Sequence, residues 1–239
     1  MSNAPNAAPM SRAETHALVL LLLAQVVLFL IPLIVLGQAI GWPASLRLPA
    51  AEALSLIARN AHAVQIGYWG YLMTATAMIP LVLALHRHAR AQGVSGLVLD
   101  TMAAFGIAAA VLKTLGIVRW LIAMPTLAQA HGATADPALR QALEIGYLAL
   151  NSYAGSVGEL LGVQWISGLW LILLGIVLAR AGLRRNGLAS ALLGLGFASV
   201  ALRSLVPSLE ILMAILPPLG LGWFLVLALT IGRQRSRAA

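Results

Sequence analysis

The sequence predicts an all-α protein, a polytopic bundle of six transmembrane helices with both chain ends on the cytoplasmic side (N-in/C-in). Three observations lead there. Hydrophobic residues fill 61% of the 239 positions and charged residues only 9%, against about 25% charged in an ordinary soluble domain, so a water-facing surface could not be covered. Mean hydropathy is +0.93, and the apolar residues fall into runs able to cross a hydrocarbon core of about 30 Å, which takes about 20 helical residues. The basic residues gather at the ends of those runs, mostly on one side of them.

The elements follow in chain order. Residues 1–15, rich in Ala, Pro, Asn and Ser, are expected to be a disordered cytoplasmic tail. Helix one covers 17–37; it is too long for the apolar region of a signal peptide and ends in a poor cleavage site, so it reads as a retained span. Residues 38–61 read as an outer loop with a short interfacial helix around 50–57. Helix two, 63–85, carries no charge and is expected to stop at the cluster His86-Arg87-His88-Ala89-Arg90. Helix three, 94–123, holds Asp100, Lys113 and Arg119, and Pro125 is expected to end it. From Pro137 on, Leu139, Leu143, Tyr147 and Leu150 recur every three or four residues, which predicts an amphipathic helix along the outer interface. Helix four covers 157–178, helix five 187–206 and helix six 209–231. In helix six the pair Pro217-Pro218 is expected to bend or locally unwind the chain, because two amide donors are missing. The organisation expected is one transmembrane domain, 16–232, closed by a basic cytoplasmic tail, 233–239.

Arginine placement orients this arrangement. Arg12, Arg87, Arg90, Arg180, Arg184, Arg185, Arg233, Arg235 and Arg237 fall on one side, and Arg47, Arg59 and Arg140 on the other. Nine against three is a positive-inside signal, and the arginine-rich side is expected to be cytoplasmic. The formal charge of +8 therefore serves topology, and no nucleic-acid partner is expected. Cysteine is absent, which excludes disulfides, Cys-based metal sites and thiol catalysis. The basic ends of helices two and four look alike, Arg90-Ala-Gln-Gly93 beside Arg185-Asn-Gly187. A parallel repeat of helix hairpins and a shared topological need for basic turns both account for that likeness.

No phosphate-binding GxxxxGK, HExxH, GxSxG or zinc spacing occurs. What remains is a set of ionisable groups within the membrane frame, each costing a few kcal/mol if it faced lipid at mid-depth. Alternating topology puts Lys113, Arg119, Glu159, Arg203 and Glu210 toward the outer half, with His62, Tyr68, Trp69 and Tyr71 at a similar level. Structural ion pairs with interfacial arginines are one reading. The other is an outward-open polar pocket that binds a small ligand, a lipid headgroup or an ion. Asp100 is expected at the cytoplasmic interface and His86 and His88 in a solvated turn. The spacing Gly158-Glu-Leu-Leu-Gly162 would let another backbone approach closely and bring Glu159 near a neighbour.

The segments Gly116-Ile-Val-Arg-Trp120, Pro125-Thr-Leu-Ala128, Asn151-Ser-Tyr-Ala-Gly155, Val157-Gly-Glu159, Leu161-Gly162 and Gly168-Leu-Trp170 resemble a bacterial multi-pass membrane family catalogued only as a domain of unknown function. The resemblance runs over residues 108–177. Family members often carry histidine at the positions of Asn151 and Leu160, so any metal or haem held there in relatives is not expected here, whereas Arg119, Trp120, Tyr153 and Glu159 are retained. The candidate ligand-binding set is then Lys113, Arg119, Trp120, Tyr153, Glu159, Arg203 and Glu210. The function expected is binding or passing a small solute or lipid through a periplasm-side polar cavity, with membrane lipids as partners and with no metal, cofactor or covalent step. The alternatives are an embedded enzyme acting on a lipid-like substrate, with Glu159 as acid or base beside Arg119, and a scaffold or accessory subunit.

Overall fold

The computed structural model describes residues 9–238. Most of the expected N-terminal tail therefore lies outside the described residues, but Arg12–Thr15 are already helical. The helix α1 (Arg12–Ile40) starts there because Ser11 and Glu14 form a reciprocal cap. The Ser11 hydroxyl accepts from the Glu14 amide at 3.2 Å, and the Glu14 carboxylate accepts from the Ser11 amide at 2.8 Å, which satisfies two donors that a helix start leaves over. Glu14 also meets Arg87 at 2.7 Å.

The short helix appears where expected, as α2 (Ala50–Arg59), burying Ala50, Ala53, Leu54 and Ile57 on one face. The next helix, α3 (Ala61–Ala91), takes in His86 to Arg90 instead of stopping before them. Basic side chains suit the last turns of a helix, whose carbonyl end attracts positive charge. The helix closes instead at Gly93, at φ +81°. The Val94 amide reaches back to the Ala89 carbonyl at 3.0 Å and the Gly93 amide to the Arg90 carbonyl at 2.9 Å, a paired closure that needs a left-handed residue.

Helix α4 (Leu97–Leu121) is followed after one residue by α5 (Ala123–Ala133). Pro125 does not end the helix. It stands in the first turn of α5, where an amide donor would have no helical partner. Helix α6 (Pro137–Gly155) is capped by Asp136, whose carboxylate accepts from the Ala138 amide at 2.9 Å. It does not end before the expected helix four. A π-helical stretch, Ser156–Ile166, joins it to α7 (Ser167–Arg180) without a loop.

Helix α8 (Arg184–Val200) has 17 residues and stops short of the expected end at 206. At about 1.5 Å per residue it is about 25 Å long. After a 3₁₀ turn at Pro207–Ile211, α9 (Leu212–Ala238) runs as α-helix straight through Pro217 and Pro218, so local unwinding is not what the chain does. Both prolines lie within its first two turns, and the cost is confined to the Met213 and Ala214 carbonyls, which have no fourth-residue amide to accept from.

Among the described residues five helical stretches are long and apolar enough to cross a membrane: Arg12–Ile40, Ala61–Ala91, Leu97–Ala133, Pro137–Arg180 and Pro207–Gln234. The count is five rather than six because α8 is too short by that measure.

The chain packs as two compact units. The first draws on Thr76–Ala110 and on the described parts of Met1–Val26 and Leu161–Ala239, the second on Val27–Ala75 and Val111–Leu160. In the first unit Leu22, Leu81, Met102, Trp170, Leu174 and Leu227 are central to one buried cluster. Its α7–α8 contact is made backbone to backbone. A Cβ on Gly175 would sit 2.6 Å from the Gly187 carbonyl, and one on Gly194 would sit 2.6 Å from the Gly168 carbonyl. Between these glycine pairs the Ser190 hydroxyl donates to the Leu171 carbonyl at 2.8 Å. Small residues and a short hydroxyl bond are how helices hold together when lipid removes the hydrophobic drive between them. In the second unit α2 packs on α5 and α6 around Leu54, Tyr68, Trp120, Met124 and Tyr147.

Candidate functional site

The second unit collects the polar groups of interest, and two glycines make that possible. Gly116 on α4 and Gly158 in the π-helical stretch are in backbone contact: a Cβ on Gly158 would lie 2.8 Å from the Gly116 Cα, and a Cβ on Gly116 would meet Gly158 in the same way. Arg119 stands one turn beyond Gly116, and Glu159 directly follows Gly158. Their neighbourhood is thus fixed by a contact no larger residue permits.

Arg119 is half-buried. Its Nη1 donates to the Gly116 carbonyl at 2.5 Å and its Nη2 to the Asn151 side-chain oxygen at 3.3 Å. The guanidinium carbon lies 5.5 Å from the centre of the Trp120 ring, a distance at which a cation and an aromatic face attract. A Cβ on Gly155 would come within 3.2 Å of Nη2, so the glycine makes room for the guanidinium. The charge of Glu159 acts on both Arg119 and Tyr71.

Trp120 is buried and stacks face to face on Tyr68, with centroids 4.6 Å apart and planes within 6°. Phe29, Trp42 and Tyr71 form a neighbouring edge-to-face triad, with centroids 5.8 to 6.4 Å apart. Around these rings lie four buried polar atoms without a hydrogen-bond partner among the described residues: Ser45 Oγ, the Tyr68 and Tyr147 hydroxyls, and Arg119 Nε. All four atoms can donate, and burying such a group without a partner costs about 1–3 kcal/mol.

Two cavities border this region. One, of about 10 Å³, is lined by Ser45, Ile57, Trp120 and Tyr147 among others. The other is an open groove of about 480 Å³ between the α2–α3 junction and the α4–α5 junction. Its walls include Ile57, Ala61, Leu121, Ile122, Pro125 and Thr126. Gln65 holds the α4 end in place by donating to the Leu121 carbonyl at 2.8 Å.

Of the seven residues predicted from sequence, Arg119, Trp120 and Glu159 come together here, and Lys113 lies on the same helix, partly buried. Tyr153 does not join them, since it is 75% exposed. Arg203 and Glu210 belong to the first unit. There Arg203 Nη1 donates to the buried Gln164 side chain at 2.5 Å, while Glu210 is exposed. Sequence reasoning missed Ser45 and Gln164, and it read Tyr147 only as an apolar position of an amphipathic helix.

The histidines lie elsewhere. His86 pairs with Asp100 at 3.0 Å and His131 with Glu144 at 2.9 Å. His88 is buried, not solvated as expected. Among the described residues no group of three His, Cys, Asp or Glu side chains could hold a metal ion.

Long apolar helices, a lipid-type glycine contact between α7 and α8, and few charges together define a multi-pass membrane protein. Residues 18–231 match the family described as "Domain of unknown function (DUF4386)", and the chain belongs to it. The family resemblance read from residues 108–177 thus extends over nearly the whole chain. No curated protein and no solved structure matches it.

Proposed function

We propose that this protein crosses a bacterial inner membrane six times, with both ends cytoplasmic, and binds or passes a small solute or lipid at a periplasm-side polar cluster centred on Arg119. The observation that carries the binding reading is the gathering of four buried, partnerless donors around the Trp120–Tyr68 stack. Native proteins pair nearly all their buried polar groups, and exceptions mark places where a water, ion or ligand is taken. Arg119, Trp120, Glu159 and Lys113 remain the ligand-binding candidates of the second unit, to which Ser45, Tyr68 and Tyr147 are added. Arg203 and Glu210 form the outer polar group of the first unit in this scheme, and Tyr153 fits an interfacial aromatic.

The sixth crossing is α8. It presents Leu188, Leu192 and Leu195 outward, each more than half exposed, a stripe that suits lipid, while its other face meets α7 through glycines. The arginine distribution supports the orientation.

The binding reading is tested by native mass spectrometry of the full chain purified in a neutral detergent. The wild type is expected to retain bound mass, and Arg119→Met and Tyr147→Phe to lose most of it while melting as a folded protein. Wild-type protein free of adducts, or variants retaining the same mass, would overturn the reading.

A further inference from the structure

The two cavities of the second unit share one wall residue. Ile57 lines both the open groove and the small inner cavity, and its side chain is almost wholly buried. The groove, at about 480 Å³, is of the size that takes small molecules, about 300–1,000 Å³. The inner cavity, at about 10 Å³, has room for one water at most. Beyond Ile57 stand Ser45 and Tyr147, whose buried hydroxyls have no partner among the described residues. A branched side chain therefore separates a ligand-sized groove from two unused hydrogen-bond donors. Such a side chain is stiff about its first torsion, so the partition stays closed until something displaces it.

The charge balance chooses the ligand class. No charged residue lines the groove. None lines the inner cavity, and neither Arg119 nor Glu159 is among the walls of either space. The groups that the inner cavity offers a ligand are the neutral Ser45 and Tyr147 hydroxyls. They call for a hydrogen-bond acceptor without net charge, such as an ester carbonyl, joined to an apolar chain that the groove can cover.

We infer that Ile57 is a gate between the groove and the inner cavity, and that the ligand is an uncharged single-chain amphiphile. Its chain lies along Ala61, Leu121, Ile122 and Pro125. A single head oxygen, such as an ester carbonyl oxygen, reaches past Ile57 into the space of one water and accepts hydrogen bonds from Ser45 and Tyr147. This deepens the binding reading above and rests on it.

The test uses the purified full chain in neutral detergent with 1-monoolein as probe, and oleate and glycerol as its anionic and headgroup-only counterparts. Affinity is read from thermal stabilisation and from retained mass. Monoolein is expected to stabilise the wild type, with oleate weaker and glycerol without effect. Ser45→Ala and Tyr147→Phe, both mild in shape, are each expected to weaken monoolein by about 2- to 10-fold, the worth of one neutral hydrogen bond. Ile57→Ala is expected to strengthen it by opening the partition. Preference for oleate would overturn the neutral class while leaving a ligand site standing. Failure of monoolein to bind, while adducts in purified protein still depend on Arg119, would overturn the inference alone. Monoolein binding indifferent to Ser45, Tyr147 and Ile57 would place it elsewhere and overturn the gate, and failure of every probe together with absence of adducts would remove both readings.

Discussion

A guanidinium among aromatic rings stays charged and must offset its desolvation, and Arg119 does so in part through Gly116, Asn151 and the face of Trp120. The partners on α6 share a helical phase. Tyr147, Asn151 and Gly155 are four residues apart and so line one face, whereas Tyr153, two residues from Asn151, points about 200° away. Motif resemblance kept Tyr153 in the candidate set because sequence adjacency carries no direction, and helical phase within 137–155 was the signal that would have exchanged it for Tyr147. Arg119, Trp120 and Glu159 were legible because the alternating topology expected from hydropathy and the shared motif put them at one level. The Arg119–Glu159 relation leads to a double-mutant cycle with Arg119→Met and Glu159→Leu, followed by thermal denaturation in detergent. Side chains that feel one another's charge are expected to couple by about 0.5–3 kcal/mol, with the double variant less destabilised than the sum of the singles. Additivity within about 0.5 kcal/mol would show two independent side chains.

Helix boundaries were set by local chemistry that hydropathy does not weigh. The Ser11-x-x-Glu14 signature starts α1 inside a stretch that composition alone reads as a tail, and Asp136-Pro137 starts α6 by the same means. The basic turns were compared at Gly93 and Gly187, but the equivalent closures are at Gly93 and Gly182. At both, a left-handed glycine is followed by a buried apolar residue, Val94 or Leu183, whose amide bonds five residues back. That likeness concerns the turns themselves, where a tight reversal admits few geometries. Gly187 is instead packed against Gly175. The crossing of α4 with the π-helical stretch carries its own prediction. Gly116→Ala and Gly158→Ala each push a methyl into backbone that cannot fold away, and overpacking of this kind costs about 1–3 kcal/mol. Both variants are expected to melt earlier and to lose retained ligand mass together. Unchanged melting for either one would show that the helices can part without cost.

For the whole molecule, the arginine count predicts an orientation and the structure chooses the sites at which it can be measured. Because the chain has no cysteine, single replacements give clean labelling. Ala135→Cys, between α5 and α6, and Arg185→Cys, at the start of α8, are both exposed positions, whereas Gly187 is buried in a helix contact and unfit for the purpose. An impermeant thiol reagent applied from the periplasmic side is expected to label Cys at 135 and not at 185, and the reverse pattern would invert the topology. Sequence alone determined that this is an α-helical membrane protein and roughly where its helices lie. Hydrophobicity, length and charge at helix ends are properties of a segment, and lipid acts on each segment separately. Only the tertiary structure decided that the long helices among the described residues number five beside a shorter α8, that the core divides into two units, and that Ser45, Tyr68, Arg119 and Tyr147 share one buried neighbourhood. Those outcomes depend on which faces meet and how closely, and Gly116 against Gly158 sets that distance through two side chains that are not there.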